Sequence, residues 1–260
     1  MDRRVIVLEV ETAPYFEVKS QSFNEAWIEA LYNVVNYGKD ITFGSEKEPK
    51  KARDTAQTII LTGPAIAEIE AGIAPPGFGL KKGGLAAYTN EFNREWYEEY
   101  RKLPPDDKHR FSYVYIERLI DTHGDQLLKL RELLAKSIKS GISSNRHQAI
   151  TWSPAIDMEN ESPPCFQRVW IRYYHPKTVD VHLSWRSRDL LDALPGNEIG
   201  IVPALNTEVF FPNDCRIGRL IDQNDSLHVY QGRLQQAMNI LRDEEIRNPA
   251  LMRRLKQKDY

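Results

Sequence analysis

Cys165 stands directly after two prolines, and the only other cysteine of the chain is Cys215. A cysteine thiolate is a strong nucleophile, and a nearby arginine lowers the pKa of the thiol by stabilising the anion. Arg186, followed by Ser187, comes later in the chain and could supply that charge if the fold brings it close. We therefore predict that Cys165 is a nucleophile. The competing interpretation, a buried structural cysteine, is the one that we keep for Cys215.

Four further polar residues follow in order: Asp189, Asn197, His228 and Tyr230. The carboxamide of Asn197 offers a hydrogen-bond donor and an acceptor side by side. His228 and Tyr230 are two residues apart, so their side chains share a face only if this stretch is extended. Each residue also has a structural alternative: a helix N-cap for Asp189, a turn residue for Asn197, and a helix start for the His-Tyr pair.

The order of these motifs resembles that of the thymidylate synthase family, which includes the pyrimidine-nucleotide hydroxymethylases. The resemblance is clearest over residues 115–230, fair over 23–58 and poor over 63–110. It implies an α+β, thymidylate synthase-like fold with a large mixed β-sheet flanked by helices. It also implies a homodimer, because members of the family share arginines across their subunit interface, and we expect a single domain over residues 1–260.

By this resemblance, arginines and a serine hold the phosphate of a pyrimidine nucleoside monophosphate. Arg186 and Ser187 match the family's phosphate-binding pair, and guanidinium groups suit a dianion because they form charge-assisted, often bidentate hydrogen bonds. Arg146 matches a site where the family usually has two consecutive arginines from the partner subunit, but here the first is Asn145. Arg53 matches another phosphate-binding arginine, in a loop after the first helix, although a solvated surface arginine explains it somewhat better.

The motifs also include matches to the residues that contact the base, the sugar and the pterin. Asn197 matches the residue that reads the base and favours uracil, although a flipped amide can also meet cytosine. His228 and Tyr230 match the pair that hydrogen-bonds the sugar 3'-hydroxyl, and Asp189 matches the carboxylate that hydrogen-bonds the pterin. The one-carbon donor that the resemblance implies is 5,10-methylenetetrahydrofolate or a related methylene-tetrahydropterin.

The reaction of this family also needs a tyrosine near the nucleophile and a general acid or base. Tyr115 matches the tyrosine. Glu91 is the best positional match for the glutamate that protonates O4 and, through water, removes the C5 proton. The resemblance is poor around Glu91, so Glu95 or Glu70 could serve instead, and a charged helix face explains Glu91 at least as well.

The chain departs from the family pattern beside the site. Phe166 follows Cys165 where the family often has histidine, and Trp185 precedes Arg186 where glutamine is usual. No counterpart of the family's C-terminal lid is recognisable, so we expect another part of the chain to exclude water.

The implied reaction is one-carbon transfer to C5 of a pyrimidine nucleotide through a Cys165 adduct at C6, with dUMP to dTMP as the first choice. A 5-hydroxymethylase acting on dCMP, CMP or dUMP is a close alternative, because water in place of hydride at the exocyclic methylene gives a hydroxymethyl group. A non-catalytic nucleotide-binding protein of the same fold is the alternative from another class, since one phosphate arginine is replaced.

Composition limits the other possibilities. The 260 residues include 35 basic and 37 acidic side chains, so net charge gives no case for nucleic acid or an anionic membrane. No signal peptide or long apolar run is recognisable, and we expect a cytoplasmic protein. Neither a zinc-ligand spacing nor a GxxxxGK[ST] loop occurs, so we predict no metal site and no ATP-dependent phosphoryl transfer.

The elements that must position these residues alternate without a regular strand-helix-strand rhythm, which indicates an α+β fold. A capping box at Ser22 and Glu25 predicts a helix that Gly38 ends, and residues 125–140 read as a second amphipathic helix. We expect Asp189 to open a further helix and His228 to begin the last one. Other predictions are strands at residues 4–10, 58–61, 147–152, 169–174 and 179–185, a short strand or turn at 111–116, and a loop at 47–54.

Overall fold

The computed structural model describes residues 12–44, 46–78, 84–104, 106–108, 110–111 and 113–258. The predicted strand at residues 4–10 lies outside the described residues. The strands are β1 (Tyr15–Ser20), β2 (Lys39–Gly44), β3 (Pro49–Thr62), β4 (Gln148–Ile150), β5 (Phe166–Tyr174), β6 (Thr178–Trp185), β7 (Arg188–Asp189) and β8 (Arg216–Tyr230). The α-helices are α1 (Phe23–Tyr37), α2 (Pro64–Glu70), α3 (Gly84–Asn90), α4 (Arg94–Tyr100), α5 (Tyr115–Ile120), α6 (Gln126–Ser140), α7 (Pro154–Asp157), α8 (Leu194–Leu205), α9 (Leu234–Arg247) and α10 (Pro249–Lys256).

The strands form one mixed sheet in the order β1-β3-β8-β6-β5-β4, with β2 paired to β3 and β7 paired to β8. The β1–β3, β6–β8 and β7–β8 pairs are parallel, and the others are antiparallel. Helices flank this sheet, so the predicted α+β architecture is confirmed. Within the described ranges, no helix combines the length and the hydrophobicity needed to span a bilayer.

Local sequence signals place two of the helices correctly. Ser22 caps α1 by accepting a hydrogen bond from the backbone N–H of Glu25, and Gly38 follows its last turn. Helix α6 begins after Asp125, whose side chain caps it, and ends at Gly141 in the left-handed conformation. Trp27 on α1 is fully buried and donates its indole N–H to the carbonyl oxygen of Leu190, 2.9 Å away. That bond ties α1 to the segment that follows β7.

The long antiparallel pair of β3 and β8 corrects two predictions. Strand β8 continues through His228 to Tyr230, and the helix expected to start at His228 begins only at Leu234. Part of the expected loop at 47–54 is strand, because β3 already begins at Pro49. Asp54 pairs with His228 in the ladder, so the partner strand holds each stretch extended. Neither local sequence shows that partner.

Two shorter segments also differ from the prediction. Asp189 does not open a helix: it ends β7, and one of its carboxylate oxygens accepts bonds from the N–H groups of Leu191 and Asp192. Helix α8 begins after that turn, with Pro195 in its first turn, where a missing N–H costs least. The expected strand or turn at 111–116 leads instead into α5, which starts at Tyr115.

Close packing between α3 and α8 gives a first testable prediction. A Cβ added to Gly200 would lie 2.6 Å from the Phe92 ring and 3.3 Å from Cα of Thr89. We expect Gly200→Ala to lower the free energy of unfolding by about 1–2 kcal/mol, because overpacking outweighs the gain in helix propensity. Urea denaturation measures this change. Gly232→Ala is the matched control, since its Cβ would meet nothing within 4 Å; equal midpoints for the two variants would contradict the prediction.

Candidate active site

Cys165 lies just before β5, where two adjoining cavities of about 620 and 260 Å³ meet. Five residues line both cavities: Glu91, Tyr113, Cys165, Ser187 and Tyr230. Arg186 lines the larger cavity, and the smaller one is lined by Tyr115, Asp189, Asn197 and His228 among others. The fold therefore gathers most of the predicted site residues from distant parts of the chain around one thiol.

Arg186 fixes the segment that carries the thiol. Its side chain donates to the carbonyl oxygens of Pro163, at 2.7 Å, and Pro164, at 3.1 Å. One of its terminal nitrogens also lies 3.8 Å from Sγ of Cys165. Burial raises the pKa of the Cys165 thiol above its usual value, while the positive charge of Arg186 opposes that rise. The cation is thus placed to favour the thiolate in a site that otherwise disfavours it.

Tyr113 is a neighbour of the thiol that the sequence analysis missed. Its hydroxyl group hydrogen-bonds the Cys165 thiol and, with Arg186, opposes the rise in the thiol pKa that burial causes. Burial raises the pKa of Tyr113 itself to about 12, so it stays a phenol that can donate. Tyr115, the predicted residue, lies deeper and packs edge-on against Phe166 and Trp185. The two departures from the family pattern are therefore buried rings that support Tyr115.

Glu91 is the only one of the three glutamates considered that lines these two cavities in the described part of the chain. It follows α3, and its backbone carbonyl oxygen accepts from Ile116 at 2.8 Å, at the start of α5. Burial raises the pKa of its carboxyl group to about 7. Glu95 lines a different cavity, and Glu70 accepts a hydrogen bond from Asn206. A carboxyl group of this pKa can both accept and release a proton near neutral pH.

His228 and Tyr230 share a face because both belong to β8. His228 is buried, and burial lowers its pKa to about 4, so its imidazole is neutral. Its Nδ1 atom lies 3.4 Å from the Ser226 hydroxyl, and its Nε2 atom is buried without a protein partner in the described ranges. Phe43 from β2 contacts both rings, with centroids 5.2 Å from His228 and 6.0 Å from Tyr230. Phe43 also lines the larger cavity, and no sequence motif pointed to it.

Asn197 lies in the first turn of α8, so it is a helical residue and not part of a turn. Its side chain is buried, and its Oδ1 atom accepts from Nε of Arg188 at 3.3 Å. Arg188, which separates Ser187 from Asp189, was not predicted to take part in the site. Asp189 itself lines the smaller cavity, and burial raises the pKa of its carboxyl group to about 6.

A model of the family described as "Thymidylate synthase" matches residues 84–259, which is more than half of the chain. The chain belongs to the thymidylate synthase family. The match includes every residue that lines the smaller cavity and most of those that line the larger one.

Three similar proteins, each named "Putative thymidylate synthase", come from different organisms. The one from Methanocaldococcus jannaschii is 25% identical over 222 residues, covering 83% of this chain and 91% of that protein. The one from Methanothermobacter marburgensis is 23% identical over 238 residues, covering 88% and 99%. The one from Methanosarcina mazei is 25% identical over 190 residues, covering 71% and 76%.

Two arginines predicted from the thymidylate synthase family pattern line neither cavity. Arg53 lies in β3 and forms an ion pair with Asp40 at 2.8 Å, and it donates to the carbonyl oxygen of Val35. Arg146 is exposed in the loop between α6 and β4. Lys50, three residues before Arg53, lines the larger cavity instead. Among the described residues, no group of three His, Cys, Asp or Glu side chains is placed to hold a metal ion.

The contact between Arg186 and Cys165 gives a second prediction. Arg186→Met removes the nearest positive charge and should raise the thiol pKa, so alkylation of Cys165 by iodoacetamide at pH 7 should slow by about tenfold per pKa unit. Peptide mass spectrometry follows Cys165 separately from the buried Cys215. Arg253→Met, on the exposed side of α10, serves as the control and should leave the rate unchanged. A faster reaction in Arg186→Met would show that Arg186 shields the thiol more than it activates it.

Proposed function

We propose that this protein transfers a one-carbon unit from a methylene-tetrahydropterin to C5 of a pyrimidine nucleoside monophosphate, and that it converts dUMP to dTMP. The observation that carries the proposal is the position of the Cys165 thiol, which faces two adjoining cavities beside Arg186, Glu91 and Asn197. A nucleophile, a cation, a carboxyl group that titrates near neutrality and a carboxamide are the groups that this chemistry requires.

In the proposed reaction, Cys165 begins by adding to C6 of the base. The S–C6 bond forms as the C5=C6 bond loses its π electrons, and the negative charge moves to O4. Glu91, in its protonated form, can neutralise O4, because burial keeps its pKa near 7. C5 would then bond to the methylene carbon, and O4 would return its proton to water as its carbonyl reforms. Loss of the C5 proton, through water to the Glu91 carboxylate, would accompany cleavage of the bond between the methylene carbon and the pterin nitrogen, which would keep that electron pair. Release of the product reforms the C5=C6 bond and returns the thiolate.

When bound, a methylene-tetrahydropterin would supply the methylene carbon and, for a methyl product, the hydride. Asp189 is the residue that we propose holds it, since its carboxyl group lines the smaller cavity. One of its oxygens already accepts from two backbone N–H groups, so the carboxyl group is oriented by the protein. The other oxygen takes no part in those two bonds and can accept from a pterin N–H.

For the nucleotide, we propose that Asn197 contacts the base and that His228 and Tyr230 contact the sugar. His228 supports this assignment because its buried Nε2 atom has no protein partner in the described ranges. An unpaired polar atom in the interior costs free energy, and a sugar hydroxyl would remove that cost. Ser187, which lines both cavities, and Arg186 would then face the phosphate.

We further propose that the chain is a single domain and that two copies of it form a homodimer. On β5, β6 and β8, residues such as Arg168, Trp170, His182 and Ile221 alternate with buried ones and remain partly or fully exposed. Trp170 and Arg172 on this face hold the loop at Asn145, beside the exposed Arg146. A partner on this face would bring Arg146 towards another subunit, as the family pattern suggests.

Two observations partly favour the alternative functions, a 5-hydroxymethylase and a non-catalytic nucleotide-binding protein. The larger cavity has polar and charged lining from Lys50, Glu161 and Ser162, so water has access to the thiol, and water as the final nucleophile gives a hydroxymethyl product. Arg53 is engaged by Asp40, which leaves fewer cations for a phosphate and supports a weaker, non-catalytic nucleotide binder.

The third prediction tests the proposed chemistry directly. Protein incubated with 5-fluoro-dUMP and methylenetetrahydrofolate should gain the mass of a covalent adduct on Cys165, and Cys165→Ser should not. Product mass with dUMP then separates a methyl from a hydroxymethyl group. Reversible binding without an adduct, under either folate or another pterin, would support the non-catalytic binder and overturn the proposed reaction.

The fourth prediction concerns the phosphate. Side chains alternate along β3, so Lys50 and Arg53 point to opposite faces, and only Lys50 lines the cavity that contains Arg186. We propose that Lys50 takes the phosphate-binding role that the family pattern assigned to Arg53. Lys50→Met should weaken dUMP binding by about tenfold, while Lys51→Met, next to it on the other face, should not. Isothermal titration calorimetry measures both constants. If Arg53→Met, and not Lys50→Met, weakened dUMP binding, the family pattern's assignment of Arg53 to the phosphate would stand.

A further inference from the structure

Beneath the smaller cavity, Arg188 is the centre of a buried polar cluster. Only 2% of its surface is exposed, and its guanidinium lies 3.9 Å from the centroid of the Trp185 ring. Its terminal nitrogens donate to Asp222 at 2.8 Å and to Glu198 at 2.8 Å. Its Nε atom donates to Oδ1 of Asn197 at 3.3 Å. A guanidinium held on all its edges and stacked on an indole ring has one orientation available.

The charges of this cluster balance. Burial, followed by the negative charge of Asp222, raises the pKa of Glu198 and so favours its protonated form. One oxygen of each carboxyl group, Oε2 of Glu198 and Oδ1 of Asp222, has no other partner in the described ranges. Protonated Glu198 can donate a hydrogen bond to Asp222. Arg188 and Asp222 then form a neutral pair, as a buried site requires.

The contact with Asn197 determines which way round its carboxamide stands. Nε–H of an arginine can only donate, so the atom of Asn197 that faces it must be the oxygen. If the amide flipped, two donors would face each other in the interior. The NH₂ group of Asn197 is accordingly directed away from Arg188, and the residue lines the cavity that contains Cys165.

We propose that Arg188 is a positioning residue that holds the Asn197 carboxamide in one orientation and thereby makes the site discriminate between uracil and cytosine nucleotides. This inference rests on the proposed function. Uracil presents an acceptor at O4 and a donor at N3, whereas cytosine presents a donor at N4 and an acceptor at N3. A freely flipping carboxamide can match either base. A carboxamide fixed by Arg188 matches only one of them.

The test is a comparison of dUMP and dCMP affinities, measured by isothermal titration calorimetry. Arg188→Lys keeps the positive charge beside Asp222 but removes the Nε–H that faces Asn197. We expect wild-type protein to prefer dUMP, and Arg188→Lys to reduce the ratio of the two affinities by about tenfold, mainly through tighter dCMP binding. In an Asn197→Ala background the same change should leave the ratio unaltered, because the carboxamide is absent.

Two further variants separate this role from general loss of structure. Arg118→Lys changes another buried arginine, paired with Asp157 at 2.9 Å, and should lower stability without altering the ratio. The double variant Arg188→Met/Asp222→Asn removes one positive and one negative charge together. It keeps the inference testable if Arg188→Lys does not fold. An unchanged ratio in either Arg188 variant, or an equal change in the Asn197→Ala background, overturns the inference while the proposed function stands. Failure of wild-type protein to bind either nucleotide overturns the proposed function and this inference together.

Discussion

The clamp between Arg186 and the two proline carbonyl groups is the contact on which the site depends. Pro163 and Pro164 have no N–H groups, so this stretch cannot enter the sheet as an ordinary strand, and its carbonyl oxygens are left for a side chain to bind. One guanidinium therefore fixes the chain just before β5 and also places its charge 3.8 Å from the thiol. Position and reactivity of the nucleophile come from the same side chain.

Burial sets the protonation states of the other groups around this thiol, and it acts in opposite directions on acids and bases. It raises the pKa of Glu91 from 4.5 to about 7 and lowers that of His228 from 6.5 to about 4. The contribution of Glu91 to stability is therefore present below pH 4.5 and is lost as the pH rises through 7. The contribution of His228 is present above pH 6.5 and is lost as the pH falls through 4. Burial of Glu91 therefore costs stability increasingly between pH 4.5 and 7, and burial of His228 does so as the pH falls from 6.5 to 4.

Sequence reasoning succeeded where a feature depends on residues close in the chain. The cap at Ser22, the stop at Gly38 and the helix at 126–140 all follow from local hydrogen bonds and hydrophobic spacing. The order of Cys165, Arg186 and the later motifs identified the family, because order survives when identity falls to about 25%.

Local sequence signals were insufficient where a distant partner decides the outcome. His228 reads as a helix start on its own, yet β3 holds it in a strand. Arg53 matches a motif by distance along the chain, but the alternation of β3 turns it towards Asp40 and presents Lys50 to the cavity. Tyr113 and Arg188 carry no motif at all, and only the fold shows that they touch Cys165 and Asn197.

The segment from Trp185 to Asp189 supplies several different contacts to the site from five consecutive residues. Trp185 packs under Tyr115, Arg186 binds the proline carbonyl groups, and Ser187 faces both cavities. Arg188 then turns into the interior, where a lone cation would be unstable without Asp222. The buried pair costs desolvation that an apolar core would avoid, so its role is to orient a neighbour. A guanidinium bound on several sides is rigid, and its hydrogen bond fixes the orientation of the Asn197 carboxamide.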